Sequence, residues 1–240
     1  MLAFAKSDIG LNRKTNEDSF ECGNHNLYIV ADGMGGHLAG EVASTLAIKE
    51  IKRFVQDNIN IYMNRYEELL NQAVFHANTV IYNKAQTNEI YKGMGTTASV
   101  VMFDHNRFFW AHVGDSRIYI LQQNELIQLT RDHSLVNDLL ENGEIDKSAL
   151  HTHPLRNMLT RAVGVNKELY IDTGFKDAHE GNYLLLTTDG LTNVVDDDDL
   201  KDVILKNQLD LSKSVDCFIE KAISAGGEDN ITAILIGDFK

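Results

Sequence analysis

The chain has 240 residues, 43% of them hydrophobic, with one proline and no low-complexity tract, so it can bury a full core and shows no linker. A formal net charge of −13 argues against nucleic acid or an anionic membrane surface as partner. The N-terminal segment lacks a basic leader, and no apolar run approaches the roughly 18 residues of a membrane span. One domain spanning 1–240 in the cytoplasm is the expectation, with Cys22 and Cys217 as reduced thiols.

In chain order, the segment RKTNEDSF opens a short strand at Glu17 and Asp18, and LYIVA (27–31) forms the next. Helical spacing follows at Ala43, Leu46, Ala47, Ile51, Phe54 and Val55, then at Leu69, Leu70, Ala73, Ala77, Val80 and Ile81. TASVVMF (97–103), RFFWAHV (107–113) and RIYILQ (117–122) read as strands joined through DHN, GDS and QQN, turn sequences that favour antiparallel hairpins. Residues 131 to about 175 break this pattern with short helical fragments, three histidines and the only proline, an excursion from the sheet core. A strand YLLLTT (183–188) comes next, and the run Asp196 to Asp199 reads as the acid-rich start of a helix. A third amphipathic face at Leu211, Val215, Phe218, Ile219 and Ala222 precedes the last strand, ITAILIG (231–237). Strand groups interleaved with one-faced helices predict an α+β fold: two packed antiparallel β-sheets flanked on both sides by amphipathic helices.

The carboxylates of this chain recur at strand ends. Asp32, Asp115 and Asp189 each follow an apolar strand, Asp229 directly precedes NITAILIG, and Glu17 and Asp18 begin a strand. A single Asp-Gly in such a place is more often a turn than a metal ligand. Six carboxylates at strand termini weaken that explanation. If the strands are sheet neighbours, the termini converge at one edge, where ionised carboxylates repel unless a cation neutralises them. All-oxygen ligation selects magnesium or manganese over zinc, and Gly33 would leave a backbone carbonyl accessible as a further ligand.

The segments RKTNEDS, VADGMGGH, GMGTTA, HVGDSRIY, TTDGLT and GGEDNITAILI, in that order, resemble the type 2C metal-dependent protein phosphatases in their compact bacterial form. The resemblance spans nearly the whole chain. It implies hydrolysis of phosphoserine and phosphothreonine in proteins by in-line attack of a metal-bridging water, with no phosphoenzyme. It implies two core Mn2+ or Mg2+ ions and a third. Asp32 would bridge the core pair, Asp189 and Asp229 would complete the first ion's protein ligands, and Glu17, through water, with the Gly33 carbonyl would serve the second. Asp115 with Asp189 matches the third site. Asp18 would stand behind the ligands and orient coordinated water. Arg13 matches the phosphate-binding arginine, whose planar fork suits two phosphoryl oxygens.

Many eukaryotic members carry a histidine after the Asp-Gly as general acid, where this chain has Met34, and His37 is the nearby candidate donor. Thr96 and Thr97 fall close to the site with no catalytic role assigned. The resemblance places a substrate-shaping flap at roughly 131–175, phosphorylated proteins as substrates and a cognate serine/threonine kinase as opposing partner, with the enzyme a monomer. Two other readings stand beside it. A non-catalytic phosphoprotein-binding module should have lost ligands, and a calcium-binding structural domain should show the 12-residue loop pattern, which is absent.

Overall fold

The computed structural model describes residues 1–36, 39–87, 89–150, 153–179 and 181–237. Its strands are β1 (Leu2–Asp8), β2 (Asp18–Cys22), β3 (Leu27–Met34), β4 (Gly95–Thr96), β5 (Ala98–Asp104), β6 (Arg107–Val113), β7 (Arg117–Gln122), β8 (Glu125–Gln128), β9 (Asp172–Asp177), β10 (Tyr183–Thr187) and β11 (Ile231–Gly237). The helices are α1 (Ala39–Asn58), α2 (Tyr66–Thr87), α3 (Leu135–Glu141), α4 (Asp189–Thr192), α5 (Asp197–Lys206) and α6 (Leu211–Ser224). One sheet runs β1-β11-β10-β7-β8 and the other β2-β3-β5-β6-β9, with β4 paired to β3. All these pairings are antiparallel.

Alternation along the central strands explains why they read as unbroken apolar runs. Tyr28, Val30, Val101, Phe108, Ile118, Ile120, Leu184, Leu186, Ile234 and Ile236 pack together between the sheets. Their sequence neighbours turn outward. Leu27, Ile29, Val100 and Met102 meet the buried faces of α1 and α2, while Leu185, Ile231, Ala233 and Leu235 meet α5 and α6. Because each sheet is covered on both faces, both sets of side chains leave water, each at roughly 25 cal/mol per Å² of apolar area. The expected α+β sandwich is therefore the observed one.

Two of the three short connections are the hairpins the sequence suggests. Gln123 and Asn124 sit at φ 51° and 64° between β7 and β8, the paired positive values of a tight hairpin turn. The β5–β6 turn has His105 at φ 51°. The third, Gly114 to Ser116, is not a hairpin: β6 and β7 belong to different sheets, so this turn crosses the sandwich and carries Asp115 to the junction between them. After β8 the chain leaves the sheets through α3 and a short 3-10 turn at Lys147–Ala149, and it returns as the edge strand β9 at Asp172, a few residues earlier than the sequence pattern suggests. The four aspartates starting at Asp196 do open a helix, where the Asp196 carboxylate accepts from the Asp199 backbone N–H at 2.8 Å. Both cysteines are free thiols.

Candidate metal centre

Sheet register brings the carboxylates together. Asp18 and Asp32 are direct cross-strand partners on β2 and β3. Asp189 is the first residue of α4, just after β10, and Asp229 lies immediately before β11, the strand beside β10. Burial holds the Asp32 carboxyl well above the usual range, and the nearby charges of Asp18, Asp189 and Asp115 push it in the same direction. Burial likewise raises Asp115, with Asp189 close by, and raises Asp189 with Asp229 close by. Asp18 is 8% exposed, and burial moves its pKa up to about 7 against the lowering effect of its hydroxyl donors. Glu17 is raised by burial too, opposed by Arg13. Asp18, Asp32, Asp115 and Asp189 thus perturb one another, and Asp229 contributes to the shifts of Asp18, Asp189 and Glu17.

The residues fit a cation, though as neighbours around a space rather than as a closed shell. Among the described residues no three His, Cys, Asp or Glu side chains are drawn into a finished coordination group. Two buried carboxylate oxygens, Asp18 Oδ1 and Asp189 Oδ1, have no hydrogen-bond partner, although an orphaned buried acceptor costs about 1–3 kcal/mol. Divalent ions with oxygen ligands would satisfy such atoms and neutralise the mutual repulsion. The backbone is cut to the same shape: a Cβ on Gly33 would lie 2.1 Å from the Gly40 carbonyl oxygen and 2.7 Å from that of Glu17. The start of α1 therefore closes directly onto the end of β3, with Glu17 between them.

A frame of neutral side chains fixes the carboxylates, and of its members the sequence places only Thr96 and Thr97 near the site, with no role assigned. Asp18 Oδ2 accepts from the Thr188 hydroxyl at 2.8 Å and the Thr232 hydroxyl at 2.6 Å. Those donors come from the ends of β10 and β11, so Asp18 joins the two sheets. Asn230 staples the N-terminal loop: its side-chain oxygen accepts from the Glu17 backbone N–H at 2.8 Å, and its amide donates to the carbonyls of Ile9 and Thr15. Thr96 donates to the Asp32 carbonyl at 2.8 Å, and Thr97 Oγ1 accepts from the Asp32 N–H at 2.9 Å. The same Thr97 hydroxyl meets that of Ser116 at 2.6 Å, linking the Asp32 backbone to the turn bearing Asp115.

Arg13 lies at the rim, half exposed, with one guanidinium nitrogen 2.7 Å from Asp229 Oδ2 and another 3.8 Å from Glu17 Oε2. His37 lies outside the described residues. Beside the Asp115 turn, a cleft of about 830 Å³ runs past Arg117, Asp132 and the outer excursion to the start of α5, with Asp115 and Asp189 in its wall.

A fold of two helix-covered antiparallel sheets, with clustered carboxylates at their shared edge, defines a class. The family model for protein phosphatase 2C matches residues 12–224, and the chain belongs to that family. As a member it is a protein serine/threonine phosphatase, an enzyme dependent on metal ions. It is 42% identical to the serine/threonine phosphatase stp of Listeria welshimeri over 98% of this chain and 95% of that protein. The crystal structure of the Mycobacterium tuberculosis serine/threonine phosphatase PstP/Ppp superposes with a TM-score of 0.90 at 35% identity, covering 98% of this chain and 97% of the other. The PstP catalytic domain in complex with two manganese ions superposes with a TM-score of 0.88 at 34% identity, over 98% and 96% of the two chains.

Proposed function

We propose that this phosphatase hydrolyses phosphoserine and phosphothreonine in proteins by direct in-line attack of water, without a phosphoenzyme. The observation that carries the reading is the cluster of buried and half-buried carboxylates at the shared sheet edge, two with an unpartnered buried oxygen. Asp32, Asp189 and Asp229 would hold one core ion, Asp32, the Gly33 carbonyl and Glu17 a second, and Asp115 with Asp189 a third. When bound, such Mn2+ or Mg2+ ions supply an activated water and neutralise charge developing on the phosphoryl oxygens.

The remaining contributions come from the chain itself. Asp18, fixed by Thr188 and Thr232, keeps one oxygen free to orient water at the centre. Arg13 exchanges part of its pairing with Asp229 for the phosphoryl group, since a guanidinium fork spans two oxygens. Met34 carries no titratable proton, and His37 is the sequence's candidate to protonate the leaving oxygen. Residues 131 to about 175 act as the flap beside this centre, within one phosphatase domain over 1–240. The enzyme acts as a monomer on cytoplasmic phosphoproteins, opposite a serine/threonine kinase, and its net charge of −13 disfavours nucleic acid and anionic membrane surfaces as partners. Among the described residues no helix is long and apolar enough to cross a membrane.

A single-turnover experiment with a 32P-labelled phosphothreonine peptide tests the direct route. Acid quenching at successive times should leave all the label on peptide or inorganic phosphate. Label retained on the protein, rising and then falling with turnover, would replace direct attack by a covalent intermediate.

A further inference from the structure

At its Gly114 end, the turn that carries Asp115 is held by one residue on the other side of a buried polar cluster. Both backbone polar groups of Gly114 go to His133: the His133 N–H donates to the Gly114 carbonyl at 2.7 Å, and the Gly114 N–H donates to His133 Nδ1 at 3.1 Å. Only glycine fits this position, at φ +112° and with a Cβ there lying 2.5 Å from Thr97.

His133 is 2% exposed and faces the outer excursion with its remaining groups. Its carbonyl accepts from the Thr160 N–H at 2.9 Å, and its Nε2 lies 3.1 Å from Asp172 Oδ2. Arg161 donates to the other Asp172 oxygen at 2.9 Å. Since Nδ1 accepts, the ring proton sits on Nε2 and points at Asp172. The chain's departure from the sheets at His133 and its return through Thr160, Arg161 and Asp172 are thus tied to one imidazole. That imidazole grips the residue preceding Asp115.

We propose that His133 is a positioning residue: it sets the Gly114–Asp115 turn, and with it the third-ion carboxylate, through its bond to the Gly114 N–H, and so couples that ion position to the base of the outer excursion. The proposal rests on the metal-centre reading given above. Asp115 sits in the turn between the sheets, with Gly114 on one side held by His133 and Ser116 on the other held by the Thr97 and Ser99 hydroxyls. Losing a residue behind a metal ligand typically costs about 10- to 100-fold in metal affinity.

Two substitutions divide the imidazole. His133→Asn keeps an acceptor at the Nδ1 position but is too short for Asp172, whereas His133→Gln reaches toward Asp172 and offers nothing at Nδ1. Calorimetric titration of the folded, chelator-stripped proteins with Mn2+ alone is the measurement, with cooperative thermal unfolding as the check that each variant folds. The weakest binding step should fall about 10- to 100-fold in His133→Gln and stay close to wild type in His133→Asn, with the tighter steps unchanged in both. Equal weakening in the two variants, loss of all steps together, or a wild-type isotherm with only two steps would overturn this proposal alone. No Mn2+ binding by the wild-type protein would overturn the metal-centre reading and this proposal with it.

Discussion

Asp189→Asn is expected to lose turnover of a phosphothreonine peptide by more than the roughly 100-fold that marks removal of a residue behind a ligand, and at the same time to stabilise the chelated protein. Both effects follow from one geometry. Asp189 opens α4, where Asn193 Nδ2 donates to its Oδ2 at 2.9 Å and its Oδ1 is buried without a partner. Its charge lies against Asp32 and Asp229, and burial adds to the strain of holding three such groups ionised. Asparagine keeps the shape and the contact with Asn193 but replaces the anionic oxygen proposed to bind the ion with a neutral amide. Removing the charge relieves repulsion when no cation is present and leaves too little negative charge when one is needed. Steady-state kinetics and thermal unfolding in chelator read the two effects. A variant that loses activity and stability together would place Asp189 in the scaffold only.

The second large effect is a pH-dependent gap between metal-loaded and chelated protein. Without cations, the native state holds protons on Asp18, Asp32, Asp115 and Asp189 that the unfolded chain would release near its ordinary carboxylate pKa. A folded pKa above the unfolded one means that the stabilisation is full below about pH 4 and is lost as pH rises through the folded values, about 7 for Asp18. Mn2+ bound at the same carboxylates would take the place of those protons, so its stabilisation should grow over the same range. At a hundredfold excess over its dissociation constant one ion contributes about 2.7 kcal/mol, roughly 5–10 °C in Tm for a chain of this size.

The gap between the two melting temperatures should therefore be small near pH 5 and widen toward pH 8. The buried His112 acts in the opposite sense, since burial and the neighbouring His133 push its pKa down to about 4, so stability is lost as pH falls from about 6.5 through 4. It acts on loaded and chelated protein alike and cancels in the difference. Differential scanning fluorimetry across pH measures the gap, and a gap that stays constant would remove the carboxylates as its source.

The same residues show what a sequence can and cannot disclose. Strands buried on both faces, such as β3, β10 and β11, carry enough apolar residues to be read directly, as do the helices whose single face meets a sheet. Two edge strands escape. β9 reads DTGFKD and alternates half-buried with exposed positions, and β1 exposes Leu2 and Phe4 and acquires its identity from pairing with β11, more than two hundred residues away. Such strands are specified by their partners, not by their own composition. The Gly114–Ser116 turn looked local for the same reason: turn chemistry does not say which sheet the next strand joins.

The carboxylates of the centre were legible because acidic residues at repeated strand ends have few structural uses, and the motif order added the rest. Thr188, Thr232, Asn230, Thr97 and Ser116 were not legible as a frame. Hydroxyls and amides are ordinary at strand ends, and their work here is defined by a partner carboxylate that only folding brings within reach. His133 belongs with them.

The central claim is that the carboxylates gathered at the shared sheet edge hold the cations on which hydrolysis depends. The most direct measurement is the rate of phosphothreonine-peptide hydrolysis by the wild-type protein against free Mn2+, with bound Mn2+ followed in the same samples by electron paramagnetic resonance. Turnover should be absent in chelator, rise with the bound ions and return when Mn2+ is restored. Hydrolysis persisting in the fully chelated protein, or full occupancy by Mn2+ without hydrolysis, would contradict the claim.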